Sequence, residues 1–162
     1  MAELDDARDL LKSALRKYSR TQRDCDVELA LLAMHTGLEE AFRAYLVSLG
    51  VEEAGDRGRV GFPNLVGLIR DRTGLFVGDD SLHDLLIALN TTRNKIAHPR
   101  GDKPSPDEIK RDADKLAKLA KRFWPQLFGE IVSNGWLLFV VGVVLPLCAC
   151  IAVLLLRNRL VY

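Results

Sequence analysis

The residues with the clearest chemical content lie in the stretch from Leu89 to Gly101, Leu-Asn-Thr-Thr-Arg-Asn-Lys-Ile-Ala-His-Pro-Arg-Gly. It ends an apolar-periodic helix with Arg93 and His98, four residues between them, and Pro99 follows at once. Arginine stays charged and presents a planar fork of donors that fits phosphate. Histidine, with an ordinary pKa of about 6.5, is the side chain best suited to move a proton near neutrality. Together they form a minimal kit for phosphodiester cleavage, one group moving protons and the other holding developing negative charge.

Residues five apart on a regular helix point about 140° away from each other. Pro99 disfavours the α conformation at His98, so the helix is expected to finish near Ala97 and the imidazole can swing back towards Arg93. The alternative is a helix end at which His98 caps carbonyls and Arg93 is solvated.

Arg93-Asn94-x-x-x-His98, late in a helical sequence of this size, resembles the R-x4-6-H motif of the HEPN superfamily, the ribonuclease centre of many of its members. The resemblance covers about the first four-fifths of the chain in helical layout and the motif alone in identity. It implies a HEPN-like bundle in which two protomers pair so that both motifs face one cleft. The attacking group is then the 2′-hydroxyl of the RNA itself, with no metal and no cofactor. On that resemblance His98 acts as general base or acid, Arg93 binds the scissile phosphate, and Asn94 orients either the histidine or the phosphate. Lys95 and Arg100 guide backbone phosphates, and the target is single-stranded or looped RNA. A defence or toxin role is typical of the family. HEPN toxins silenced by a partner nucleotidyltransferase carry a tyrosine two residues after the histidine; Arg100 stands there in this chain, which removes that acceptor.

A chain of 162 residues suits one domain with an appendage. The formal charge of +1 is unevenly spread: Arg157 and Arg159 lie beyond the last apolar run, and without them 21 basic residues face 22 acidic ones. Residues 93–122 hold ten basic and five acidic side chains, so the positive field sits on and just after the motif. Such a field attracts RNA, and equally anionic lipid headgroups. The three cysteines, Cys25, Cys148 and Cys150, form no disulfide framework and no metal-ligand spacing, which fits a reducing compartment. No histidine-carboxylate metal cluster and no glycine-rich phosphate loop is apparent.

The elements that must position the motif are helical, with no strand-like alternation. Leu4, Ala7, Leu10, Leu11, Ala14, Leu15 and Tyr18 predict a helix over 3–19. Val27 to Leu49 predict a longer one stopped by Gly50, with His35 as a partly buried core histidine and Glu39 and Glu40 flanking the apolar stripe. Gly50 to Gly61 reads as a loop, Pro63 opens a short helix, and Leu75-Phe76-Val77 is a small apolar connector. The motif helix begins at Asp80 or Ser81 and is anchored by Leu82, Leu85, Leu86, Leu89 and Ile96; His83 receives no role. Ser105-Pro106-Asp107-Glu108 is a capping box that starts a last helix, with Asp107/Arg111 and Asp114/Lys118 as i,i+4 pairs and Pro125 as a kink or restart. The expected fold class is all-α: a bundle of four or five helices over 1–128, a juxtamembrane linker at 129–135, a transmembrane helix at 136–156 and a short tail at 157–162.

Trp136 to Leu156 contains no charged residue. At 1.5 Å per residue it spans about 31 Å, matching a hydrocarbon core of about 30 Å. Trp136 sits at one interface and Arg157 and Arg159 close the other, as expected of a single-pass C-terminal anchor. Lys115, Lys118, Lys121 and Arg122 outnumber the two distal arginines and favour a cytoplasmic helical domain, although the distal pair is closer to the span. Gly135, Gly142 and Ala149 repeat every seven residues and offer a small-residue stripe for a second copy, while Pro146 bends the span. The expected partners are thus RNA, the lipid bilayer, a second copy and a regulatory protein not named by the sequence. A tail-anchored, non-catalytic helical adaptor is the competing reading.

Overall fold

A computed structural model of the chain describes residues 2–20, 24–77, 79, 81–98 and 103–129. Pro99, Arg100, the expected membrane span at 136–156 and the 157–162 tail lie outside them. The described fold is the unit Met1–Phe128, and the remainder from Gly129 forms a second unit. Among the described residues the fold is all-α: α1 (Ala2–Ser19), α2 (Asp24–Ser48), a 3₁₀ turn (Glu52–Gly55), α3 (Phe62–Arg72), α4 (Ser81–Ala97) and α5 (Pro106–Phe128). None of these helices is long and apolar enough to cross a membrane.

The end charges of α1 suit a helix, with Glu3 and Asp5 in its first turn and Arg16 and Lys17 in its last, each opposing the local end of the backbone dipole. α2 is the hub and packs against each of the other four α-helices and the 3₁₀ turn. It therefore buries residues around much of its circumference, including Ala30, Leu31, Met34, Leu38, Ala41, Phe42 and Leu46. Gly50 ends the helix with φ +85°, and the amides of Gly50 and Val51 donate to the carbonyls of Val47 and Leu46. That pair of bonds is a Schellman cap, and its left-handed residue favours glycine.

Gly37 sets how closely α1 and α2 approach. A Cβ built at this position would lie 2.9 Å from Leu11 Cα, a backbone atom that cannot swing away. Alanine would gain about 1 kcal/mol of helix propensity. Overpacking against fixed backbone typically costs about 1–3 kcal/mol, and here it should win. Gly37→Ala is expected to lower unfolding stability by about 1 kcal/mol, read as a lower denaturant midpoint at unchanged slope.

A run of aromatic rings threads the core. Phe76 of the connector lies 5.8 Å from Phe123 of α5, Phe123 lies 5.7 Å from Phe42 of α2, Phe42 lies 6.2 Å from Phe62 of α3, and Phe62 lies 4.2 Å from the ring of His35. Leu75 and Phe76 are buried as the connector reading expects, whereas Val77 is 82% exposed. The glycine-bearing 50–61 segment is more ordered than a plain loop. Arg43, buried in α2, donates to Ala54 O at 2.6 Å and Val60 O at 3.1 Å, and pairs with Glu39 at 3.3 Å. The carboxylate of Asp56 accepts from the amides of Gly58 and Arg59 and turns the chain.

α5 opens on the expected capping box. Ser105 N–H donates to Glu108 Oε2 at 2.9 Å and Glu108 N–H donates to Ser105 Oγ at 3.3 Å. One expectation fails along this helix and another is narrowed. α5 runs through Pro125 to Phe128, where Gly129 at φ +44° ends it, so of the two expectations for the proline the restart is excluded. The i,i+4 pairs give way to other partners: Asp114 accepts from Tyr18 Oη of α1 at 2.7 Å, and Arg111 reaches Asp112 at 3.5 Å. Partial burial, together with the bond to Asp114 and its charge, pushes the Tyr18 hydroxyl up to about 12, so it remains a donor at any physiological pH.

Candidate functional site

α4 carries the motif and is anchored by its first three turns. Leu82, Leu86 and Leu89 are buried, and no residue from Asn90 to the helix end is fully buried. Of the expected anchors, Leu85 and Ile96 are only half-buried. A polar bond ties the C-terminal half to α5: Thr92 Oγ1 donates to Asp112 Oδ2 at 2.8 Å. Asp112 is buried at 8% exposure, and Lys115 Nζ lies 3.4 Å from its other oxygen. A buried carboxylate with hydroxyl and ammonium partners is satisfied, and it fixes the turn on which Arg93 sits.

Arg93 is half-buried. Its Nη1 donates to Asn94 Oδ1 at 2.9 Å, while its Nε is buried with no partner. Asn94 thus holds the arginine through its amide oxygen. His98 is exposed, and its backbone N–H donates to Asn94 O at 2.9 Å, continuing the helical bond pattern one residue past Ala97. That pattern keeps the wide angular separation of residues five apart. No hydrogen bond or ion pair joins Arg93 to His98 within one chain among the described residues. Lys95 is exposed on the same helix; the Ser105 bonds first, then the charges of Arg111 and Lys95, hold the Glu108 carboxyl below its usual range. Arg100 lies outside the described residues.

A second histidine, expected as a core residue, is buried in α2. His35 of α2 is 1% exposed and neither ring nitrogen has a hydrogen-bond partner. Burial, and then the charge of Arg93, lower its pKa from 6.5 to about 4. The Asn90 side chain pulls weakly the other way, without hydrogen-bonding geometry to either ring nitrogen. The imidazole is therefore neutral at pH 7. The Arg93 charge that acts on it lies 58 positions away in sequence, so nothing local could have announced the effect.

A groove among the described residues lies elsewhere. About 620 Å³ in volume, it lies between α1, α2 and the 3₁₀ turn, lined by Glu3, Asp6, Glu40, Glu52, Arg43 and Arg57 among others. It contains neither motif residue. Its excess of carboxylates suits no polyanion. Among the described residues no three His, Cys, Asp or Glu side chains gather as a metal site. Comparison with protein-family models, curated proteins and solved structures finds no match.

Proposed function

We propose that this chain is a membrane-anchored, HEPN-like endoribonuclease that cuts RNA without metal, through a site composed from two copies. The observation that carries this reading is the C-terminal half of α4. It presents Arg93, Asn94, Lys95 and His98 beyond the last buried leucine, on a helix fixed by Thr92 and Asp112. Arg93 and His98 diverge along one helix, so the reading takes the arginine and the histidine facing each phosphate from different protomers. His98 moves the proton of the 2′-hydroxyl, Arg93 holds the phosphate as it gains charge, and Asn94 steadies the guanidinium. Lys95 and Arg100 guide the flanking backbone. The 136–156 run anchors the helical domain on the cytoplasmic face and brings two copies together through its small-residue stripe. A defence or toxin role follows from the resemblance.

The separation of Arg93 and His98 within one chain also favours the second reading, a tail-anchored adaptor that binds a partner protein or RNA without cutting it. The test is RNA cleavage by the full-length chain in mild detergent with a chelator present. The nuclease reading expects cleavage by the parent, and a fall to background in Arg93→Ala and in His98→Ala. Intact RNA with a folded, self-associated parent rejects it and leaves the adaptor.

A further inference from the structure

The hydrogen bonds and ring contacts fix which helix ends lie together. Glu28, near the start of α2, pairs with Lys103 just ahead of α5 at 2.8 Å, and Phe42 lies 5.7 Å from Phe123, so α2 and α5 run parallel. α4 runs against them: Thr92 meets Asp112, and Asp79, just ahead of α4, accepts from Arg122 at 2.8 Å. The bundle therefore has two chemically different ends. One carries Arg93, Lys95, His98 and Lys103. At the other, Val77 is the most exposed large apolar side chain among the described residues, because buried Phe76 anchors the connector on Phe123 and turns its neighbour out. Leu49 stands exposed just past α2, and Trp124 and Phe128 form a half-buried pair with ring centroids 4.7 Å apart. Charges of both signs frame this end: Lys121 and Arg122 on α5, and Glu3, Asp6 and Glu52 along the groove.

We propose that this apolar end rests on the surface of a lipid bilayer, with Val77, Leu49, Trp124 and Phe128 at the boundary between headgroups and acyl chains. The Arg93–His98 end is then held away from the lipid. The inference rests on the membrane-anchored part of the proposed function and not on cleavage. What selects a bilayer as the occupant is where the chain leaves the bundle. α5 ends at Phe128, within the apolar end itself, and the uncharged run 136–156 follows. The seven residues 129–135 between them reach at most about 28 Å from Phe128 to Trp136. A tether this short makes docking intramolecular, at an effective concentration on the order of millimolar, so a few apolar contacts suffice. Tryptophan is the residue that best tolerates the mixed polarity of such a boundary. The mixed charges mean that the contact needs no anionic lipid. The motif lies well clear: Asp112, which ties Thr92, is 16 positions before Phe128, about 24 Å along α5. The positive field around the motif is thus kept for a polyanion in solution instead of lipid headgroups.

The test is tryptophan quenching in the full-length chain, reconstituted into phosphatidylcholine vesicles with and without lipid brominated close to the headgroup. The chain has two tryptophans, so Trp136→Phe isolates Trp124 and Trp124→Phe isolates Trp136. A docked side chain lies about 5–10 Å into the boundary, so brominated lipid should cut Trp124 emission to roughly half. Adding Val77→Asp and Leu49→Asp should restore most of that emission; both positions are exposed, so the core is untouched. A ring introduced by Lys95→Trp, in a chain carrying Trp124→Phe and Trp136→Phe, should keep its full emission. Quenching of Trp136 with Trp124 at full emission leaves the anchor standing and overturns the docking. Trp124 quenching that survives the two aspartates also overturns it, because the tether alone then explains the closeness. Quenching of the ring at position 95 overturns it by putting the motif end on the lipid. If neither native ring is quenched, the anchor and the docking fall together, and a Trp124 then shielded from acrylamide assigns that end to the chain's own apolar run.

Discussion

Phe42→Ala is expected to remove about 3–5 kcal/mol of folding stability, the range for truncating a fully buried phenylalanine. Phe42 is wholly enclosed and sits mid-way along the aromatic run, with Phe62 on one side and Phe123 on the other. Its removal opens a cavity where α2, α3 and α5 meet, and the rings on either side belong to helices that cannot both collapse into it. Domains of this size are stable by only about 5–15 kcal/mol, so the loss is a large share of the whole. Thermal unfolding should move down by roughly 10–20 °C. Leu29→Ala is the control, because Leu29 is 53% exposed on the same helix and should change stability by no more than about 0.5 kcal/mol. Equal effects of the two substitutions would mean that the aromatic run does not form the centre of the fold.

The second large effect is acid destabilisation through His35. The ring takes up its proton at about 4 in the folded chain against 6.5 when exposed, so the unfolded chain binds that proton more tightly. Stability therefore rises with pH across that window. The contribution is complete above 6.5 and is lost as pH falls through 4. Between pH 7 and pH 4.5 the loss from this group should be about 2 kcal/mol, at roughly 1.4 kcal/mol per tenfold of proton affinity. Denaturant titrations at the two pH values measure it, with His35→Leu as the comparison. The variant should lose most of the pH dependence whatever its stability at neutral pH. The same pH dependence in parent and variant would place the linkage on other groups. The lowered carboxyls of Asp71, Asp79 and Glu108 overlap this window at its acid edge, and they are common to parent and variant, so the comparison isolates His35.

What could be read from the sequence was local. The ends of α1 and α5 follow from apolar spacing and from a capping box whose partners are three residues apart. The stop at Gly50 follows from the need for a left-handed residue there. The site was readable only as residue types on one helix. Its support comes from far along the chain: Asp112 reaches Thr92 across 20 positions. Being the hub blurred the signal of α2, because a helix buried on several sides shows no single polar face against which Arg43 or His35 would stand out. The charge pairs expected on α5 failed for a related reason. A solvent-exposed i,i+4 pair contributes only a few tenths of a kcal/mol, so the Tyr18 hydroxyl readily takes Asp114 once α1 is docked.

Arg43 decides how freely the 50–61 stretch can move. The 50–61 stretch holds four glycines, the composition of a gate that swings. Yet its carbonyls at Ala54 and Val60 close on a guanidinium rooted in the hub helix, and Ala54 itself is sealed from water. Opening it would strand a buried cation, so this stretch serves as fixed masonry.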